Sequence, residues 1–538
     1  MKNEAPTGLR PGHLLPTLRR ERNPSEAKIS SLSSPDLRSR FFAKGDKNNL
    51  VVWFFLTILY FTTRLVNLKL IPIFTDEAIY ARWAQIALHD PVNRFISLED
   101  GKQPLFIWIG AIAQKFVSDP LIATRLVSVF AGFGSLCGIY LLAKELFGSK
   151  TAKLAAFAYI ILPFTLLYDK LGIYDSLLTM LGIWAVYFTL KMAKKPALDV
   201  AILDGFAIGL ALITKSSASF FLYLLPFSLL QFNFGKPKVI RRLLDWFKFT
   251  LITFVLAELF YNSLRLAPLF YIIKRKNYEF IRPFSEVLTN PLHSASSNFK
   301  ALTQWLIVYI GWPLFIAFLI GIFLGISRKD RRIIYLTILI LAPFTAEVIF
   351  NKVLYPRFML FYFPYVILTF VYAFTTIQDS FKKYQKQIAL GFFLFLIIPA
   401  YTSFKILTNP AYANIPQSDS NQYFNDWPAG YGVSEIVEIL RNQSIDNQIH
   451  VATEGTFGLM PYALNIYLYG NNNVHISSYW PLDPDNLPNE ILDVTRNQKT
   501  YVIFYQAQKE PTKSNLKLVA KYQQGRGQSF MRLYEVLP

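Results

Sequence analysis

Asp76 and Glu77 stand side by side directly after the first apolar run of membrane length, Leu50 to Leu70. Charge at such a place is expensive, so a carboxylate pair kept there is expected to be used. Carboxylates fixed at the membrane edge can reach a polar acceptor in water and the headgroup of a lipid anchored in the bilayer. The pattern predicts a membrane enzyme acting at the interface. A competing reading makes Asp76 the N-cap of the amphipathic segment that follows it. Asp175 carries the same ambiguity, because it opens another apolar run, where a carboxylate also favours a helix N-terminus. Glu258, Asn262 and Arg265 recur at i, i+4 and i+7 and share one helix face that must meet protein or water. They form either an internal network or part of a substrate cavity.

The elements that must hold these residues are membrane helices. With 53% hydrophobic residues and 48 Phe, the composition lies far from that of a soluble domain. The net charge of +20 would suit nucleic acid, but the Lys and Arg fall mainly in short loops between apolar runs, as positive-inside orientation requires. The first 49 residues, with ten Lys/Arg against five Asp/Glu and no helical period, are expected to be a disordered basic cytoplasmic tail without a cleavable signal. After Leu50–Leu70, runs of spanning length follow near 121–147, 151–168, 175–193, 198–213, 216–232, 248–272, 303–326, 333–350, 356–377 and 388–405. The expected fold is thus a polytopic α-helical membrane protein of about eleven transmembrane helices over residues 50–405.

With the tail inside, the basic loops Lys191–Lys195, Lys236–Arg242, Arg328–Arg332 and Lys382–Lys386 all fall on the cytoplasmic side. The opposite loops, 71–120, 169–174, 214–215, 273–302 and 351–355, then face outward. Two amphipathic segments, Asp76–Leu88 and Gln103–Phe116, would lie along that outer interface. Residues 406–538 turn polar. They read as a small extracytoplasmic α/β domain, with a helix at Val433–Arg441 and strands at His450–Thr453, Val474–Ser477, Tyr501–Tyr505 and Lys517–Lys521. That domain lacks a glycine-rich phosphate loop and an HExxH pattern, so a cap or acceptor-docking module is expected. The single cysteine, Cys137, excludes an intrachain disulfide, and the five histidines lack the spacing of a metal centre.

The Asp76-Glu77 pair, then Gly101-Lys102-Gln103-Pro104-Leu105, then Asp169-Lys170-Leu171-Gly172-Ile173-Tyr174-Asp175 resemble, in order and spacing, the GT-C glycosyltransferases. The likeness is to the protein O-mannosyltransferase and aminoarabinose transferase relatives, integral membrane enzymes that take sugar from a polyprenyl phosphate. Thr214-Lys215-Ser216, Tyr355-Pro356-Arg357-Phe358 and Phe424-Asn425-Asp426-Trp427-Pro428-Ala429-Gly430-Tyr431-Gly432 are similar to further segments of that family. The resemblance implies a donor-phosphate role for Lys102, Lys170, Lys215 and Arg357. Lys170 stands where relatives commonly have Arg, and keeps the charge without the planar fork. Gln103 stands where relatives often have Pro.

On this resemblance the expected activity is inverting transfer of a hexose, mannose-like sugar or aminopentose from a polyprenyl-phosphate donor to an extracytoplasmic protein, lipid or polysaccharide. The leaving phosphate is already ionised, so it needs cations more than a proton donor. The attacking hydroxyl or amine needs a general base. Asp76 is assigned that role, with Glu77 shaping the site and Asp175 the second acidic position. Lys102, Lys215 and Arg357 can instead be helix-end cations that snorkel, although all three lie on the side that positive-inside bias disfavours. No cofactor is required, and a divalent cation on the outer carboxylates stays open. A lipid-linked sugar transporter or flippase would need similar helices but predicts repeats or broken midplane helices. A membrane scaffold presenting the C-terminal domain is the other alternative.

Overall fold

The computed structural model describes residues 47–512 and 515–538. The chain divides into two compact units, Met1–Phe55 and Leu56–Pro538. The expected tail lies outside the described residues as far as residue 46. Helix α1, Lys47–Leu65, is followed by α2, Thr75–His89, and α3, Leu105–Gln114. These last two match the expected amphipathic segments.

Next come α4, Pro120–Phe147, and α5 and α6, Ser149–Ile161 and Pro163–Asp169. Helix α4 starts where Asp119 caps it, accepting from the backbone N–H groups of Leu121 at 3.0 Å and Ile122 at 3.1 Å, with Pro120 at the first helical position. The α5–α6 pair is one apolar run bent by 62°. Pro163 has no N–H, so it leaves the Tyr159 carbonyl orphaned. Thr165 donates to that carbonyl at 2.5 Å and Arg64 at 3.3 Å. Arg64 also pairs with Asp169 at 3.4 Å, and both side chains are fully buried. This network ties the C-terminal half of α1 to the break between α5 and α6.

Helix α7 is Asp175–Lys194 and α8 is Leu198–Leu212. Helix α8 crosses Val239–Ser263 through Gly205 and Gly209, where a Cβ would lie 2.8 Å and 2.6 Å from Leu256 and Phe260. Small residues four apart thus let the two helices approach closely. Later helices are Ala295–Ile310, Trp312–Ser327, Arg331–Phe350, Phe363–Ser380, Gln385–Phe395 and Ile397–Thr408.

Among the described residues, four helices are long and apolar enough to cross a membrane, or six if each bent pair counts as one. Some of the eleven expected runs take other forms. The 303–326 run turns by 112°, because Gly311 has φ of +79° and Pro313 follows it. The 216–232 run is three short pieces, Ser216–Ala218, Ser219–Tyr223 and Leu225–Gln231, with Pro226 opening the last.

The C-terminal region forms a five-stranded sheet of order β2-β1-β3-β5-β4, with β1 Ile449–Glu454, β2 Val474–Tyr479, β3 Lys499–Phe504, β4 Leu516–Gln523 and β5 Phe530–Val536. Strands β2, β1 and β3 run parallel, setting Val451 between Ile476 and Tyr501. Strand β5 runs antiparallel to both β3 and β4. Four strands match the expected ones. Strand β5 was hidden because it is an interior strand buried on both faces, so its residues do not alternate. The domain also shares its core with α2: Ile73, Ala78 and Ala81 pack in one cluster with Val433, Val451, Leu459 and Ile503. The chemistry-bearing turn at residues 73–77 therefore rests on the C-terminal domain as well as on the helices.

Candidate active site

The turn before α2 is fixed from three directions. Phe74 is extended and forms an antiparallel bridge with Ala429, and the Thr75 N–H donates to the Pro428 carbonyl at 3.1 Å. The segment 424–432 is therefore the strap that holds this turn. Gly430 has no room for a side chain, since a Cβ would come within 2.3 Å of the Ile73 carbonyl oxygen. Below the turn, Glu77 is wholly buried and receives two bonds from Arg125, at 2.6 Å and 2.8 Å, and one from the Gly172 N–H at 2.6 Å. Arg125 in turn donates to the carbonyls of Leu68, Ile71 and Pro72. Glu77 thus clamps α2 to the 170–174 loop and positions the neighbouring Asp76.

Asp76 is left partly exposed, and its Oδ2 accepts from Arg357 at 2.6 Å. Arg357 comes from a 3₁₀ turn, Pro356–Met359, whose preceding Tyr355 sets its ring 5.0 Å from the guanidinium. Burial would raise the Asp76 carboxyl, but Arg357, Lys102 and Lys215 outweigh it and hold it below the ordinary carboxylate value. Burial works against the Arg357 charge, and Asp76 more than compensates. The second acid, Asp175, opens α7 and is 2% exposed; its Oδ1 accepts from Lys215 at 2.6 Å, while its other oxygen is buried without a hydrogen-bond partner among the described residues. The Lys215 ammonium also lies 4.7 Å from the Phe358 ring.

Arg357, Lys215 and Phe358 border a cavity of about 450 Å³, whose polar lining also includes Lys102, Lys276, Asn277 and Glu347. Phe220, Phe280, Ile281, Phe350 and Phe361 give it apolar lining. Lys276 is already paired with Asp100 and Glu279. Lys102 forms no ion pair among the described residues; its nearest recorded partner is the Phe280 ring, at 5.4 Å. Burial pushes its ammonium down, Asp76 and Asp100 oppose this, and Arg357 and Lys215 add to the lowering. Gln103 and Asn277 donate to the Ser216 hydroxyl at 2.7 Å and 3.2 Å, joining the loop before α3 and the helix Tyr271–Phe280 to the 3₁₀ turn Ser216–Ala218 at the cavity edge. The hydroxyls of Tyr80 and Tyr174, both lining the cavity, hydrogen-bond to each other.

Five of the residues singled out from sequence thus come together: Asp76, Lys102, Asp175, Lys215 and Arg357. Lys170 lies elsewhere. It is fully buried and donates to the carbonyls of Arg64 at 2.9 Å and Val66 at 2.6 Å, closing the C-terminus of α1. Burial, then Arg125 and Arg64, push its ammonium down to about 7. Glu258 and Arg265 also lie outside the cavity wall; Asn262 links them, donating to Glu258 at 2.8 Å and accepting from Arg265 at 2.5 Å. That is the internal network of the two sequence readings. Glu347 and Asn277 were not singled out, although a lone carboxylate inside the 333–350 run carries the signal of an intramembrane charge. Among the described residues no three His, Cys, Asp or Glu side chains group as a metal site.

A family model described as dolichyl-phosphate-mannose-protein mannosyltransferase matches residues 101–261. No curated protein sequence matches the chain significantly. Among solved structures, ArnT from Cupriavidus metallidurans bound to undecaprenyl phosphate is similar over 91% of this chain and 98% of its own, with 13% identity and a TM-score of 0.53. Its apo form gives 90% and 97% coverage, 13% identity and a TM-score of 0.53. The oligosaccharyltransferase AglB from Archaeoglobus fulgidus, in complex with an inhibitory peptide and a dolichol phosphate, is similar over 86% of this chain and 70% of its own, with 14% identity and a TM-score of 0.55. At these identities the structures show the fold. The family model matches the segment that holds Lys102, Asp175 and Lys215. The chain thus has the fold of these membrane glycosyltransferases, and residues 101–261 match the mannosyltransferase family model.

Proposed function

We propose that this protein is an inverting glycosyltransferase that moves a sugar from a polyprenyl phosphate to an extracytoplasmic acceptor. The observation that carries the reading is Lys102, an ammonium that forms no ion pair among the described residues, in a cavity lined by cations and by apolar side chains. Such a cavity suits an amphipathic ligand with an anionic head and a hydrocarbon tail. The donor phosphodiester carries one negative charge, and a second develops on its oxygen as the sugar leaves. Lys102 answers the first and Arg357, with its two-point geometry, the second.

The acceptor O–H or N–H attacks the anomeric carbon from the face opposite the phosphate. The new bond forms as the carbon–oxygen bond to phosphate breaks, the electron pair leaves with polyprenyl phosphate, and Asp76 takes the acceptor proton. Asp76 is held as a weak base while Arg357 neutralises it. A phosphate that draws on the same guanidinium raises its basicity. Lys215 supports the phosphate while orienting Asp175, and Glu77 positions Asp76. Neither step requires a cofactor, and a divalent ion would add only to phosphate neutralisation. The protein lies in the plasma membrane as a multi-pass chain with a cytoplasmic N-terminus and the C-terminal domain outside, as the loop charges support.

The test is mass spectrometric detection of polyprenyl phosphate released from a panel of polyprenyl-phosphate sugars, with membrane extract supplying acceptor. Donor-dependent release that Asp76→Asn abolishes in a folded protein supports the transferase and identifies the sugar class. Folded wild type that releases nothing from any donor, beside an active control transferase, would point to transport or scaffolding.

A further inference from the structure

Glu347 is a carboxyl group in the cavity lining that stands outside the ion pairs of the site. It is 7% exposed, and its Oε2 accepts from the Tyr362 hydroxyl at 2.8 Å. Its Oε1 has no hydrogen-bond partner among the described residues, yet it is not among the sealed polar atoms, so it faces the cavity. Among the described residues Glu347 forms no ion pair, whereas Asp76 and Asp175 each hold a cation. The side chain is also held firmly. It sits in the last turn of Arg331–Phe350, where Asn298 donates to the carbonyls of Glu347, Val348 and Asn351.

A carboxyl in this setting offers phosphate no cation to answer its charge. It also costs desolvation unless a ligand brings hydrogen-bond donors to it. A polyprenyl phosphate offers none, and its sugar offers several. We infer that Glu347 reads the sugar: its free oxygen accepts from a hydroxyl or an amino group on the ring of the transferred residue. This rests on the proposed donor site and adds to it a residue that selects the sugar. Tyr362 fixes the other oxygen and keeps the acceptor aimed at the cavity.

The experiment measures dissociation constants of full-length detergent-solubilised protein for bare undecaprenyl phosphate and for the same lipid carrying a neutral hexose or an aminopentose. The wild type is expected to bind at least one glycosylated lipid more tightly than the bare one. Glu347→Ala should shrink that preference by about twofold to tenfold, the usual effect of one hydrogen bond. Affinity for the bare lipid should stay within about twofold, which also reports that the variant is folded. Glu347→Gln separates the two donors: preference kept for the hexose points to a hydroxyl, and preference lost for the aminopentose alone points to an ammonium.

A Glu347→Ala protein with the wild-type preference for every lipid overturns the inference and leaves the phosphate site standing. So does a wild type that ranks no sugar above bare lipid. A wild type that fails to bind bare undecaprenyl phosphate, or a Lys102→Ala variant that binds it equally well, overturns the donor-site reading and this one with it.

Discussion

Replacing Arg357 with Gln separates two tasks of one guanidinium, holding Asp76 ionised and presenting charge to the cavity. The contact is 2.6 Å, with Arg357 11% and Asp76 23% exposed, so solvent screens it only in part. An opposite charge this close lowers a carboxyl by about 1–3 pH units, each worth about 1.4 kcal/mol. Lys102 and Lys215 also lower Asp76 and remain in the variant, so only part of the lowering is lost. The arginine favours the charged form, so removing it raises the pKa, and a base that works deprotonated is then lost at higher pH. The acid limb of kcat/KM should move upward from its place below the ordinary carboxylate range. Above both limbs the loss of rate measures the missing phosphate contact, about tenfold to a hundredfold. Polyprenyl phosphate release, followed from acidic to neutral pH on a single donor, reads both effects. A limb that stays in place while the neutral-pH rate falls would remove Asp76 from the role of titrating base.

Three further outcomes follow from the same geometry. Lys170→Met should lose about 1–3 kcal/mol of stability by stripping the Arg64 and Val66 carbonyls of their donor, with bare undecaprenyl phosphate affinity unchanged. Because folded Lys170 gives up its proton near 7 while the unfolded residue holds it to about 10.4, wild-type stability rises over that window and the variant loses the slope; thermal unfolding at both ends checks it. Glu77→Gln leaves Arg125 buried without its carboxylate and should cost about 3–5 kcal/mol, read as a fall in Tm in detergent. Gly430→Ala drives a methyl group toward the Ile73 carbonyl and should lower kcat with bare-lipid affinity retained; equal kcat would show that the strap does not set the position of Asp76.

The sequence carried the chemistry at turns and helix ends more clearly than it carried the helices. Asp76, Lys102, Asp175, Lys215 and Arg357 could be found because each is a charge beside an apolar run, where charge is conspicuous. The same rule also caught Lys170, whose real task is visible only once α1 ends beside it and offers two free carbonyls. Hydropathy could not separate a straight span from a bent one. Residues 303–326 read as continuous although Gly311 and Pro313 turn them sharply. Glu347 stayed hidden for a related reason: one carboxylate inside an apolar window hardly changes its average, and only the fold shows that its side chain reaches the cavity. The dependence of the 73–77 turn on residues 424–432 spans more than 340 positions and has no local signature.

That long-range strap changes what the C-terminal domain can be. A module merely tethered to a membrane enzyme would be removable at residue 405. Here its removal would strip Ala78 and Ala81 of the core they share with Val451 and Ile503, and take away the Pro428 carbonyl that receives the Thr75 N–H. Asp76 is the next residue. Its direction is set by Glu77 on one side and by the 424–432 strap on the other, while Arg357 pairs with its carboxylate. A side chain fixed between two elements is displaced by a shift of either, and for the proposed base displacements of this order cost large factors in rate.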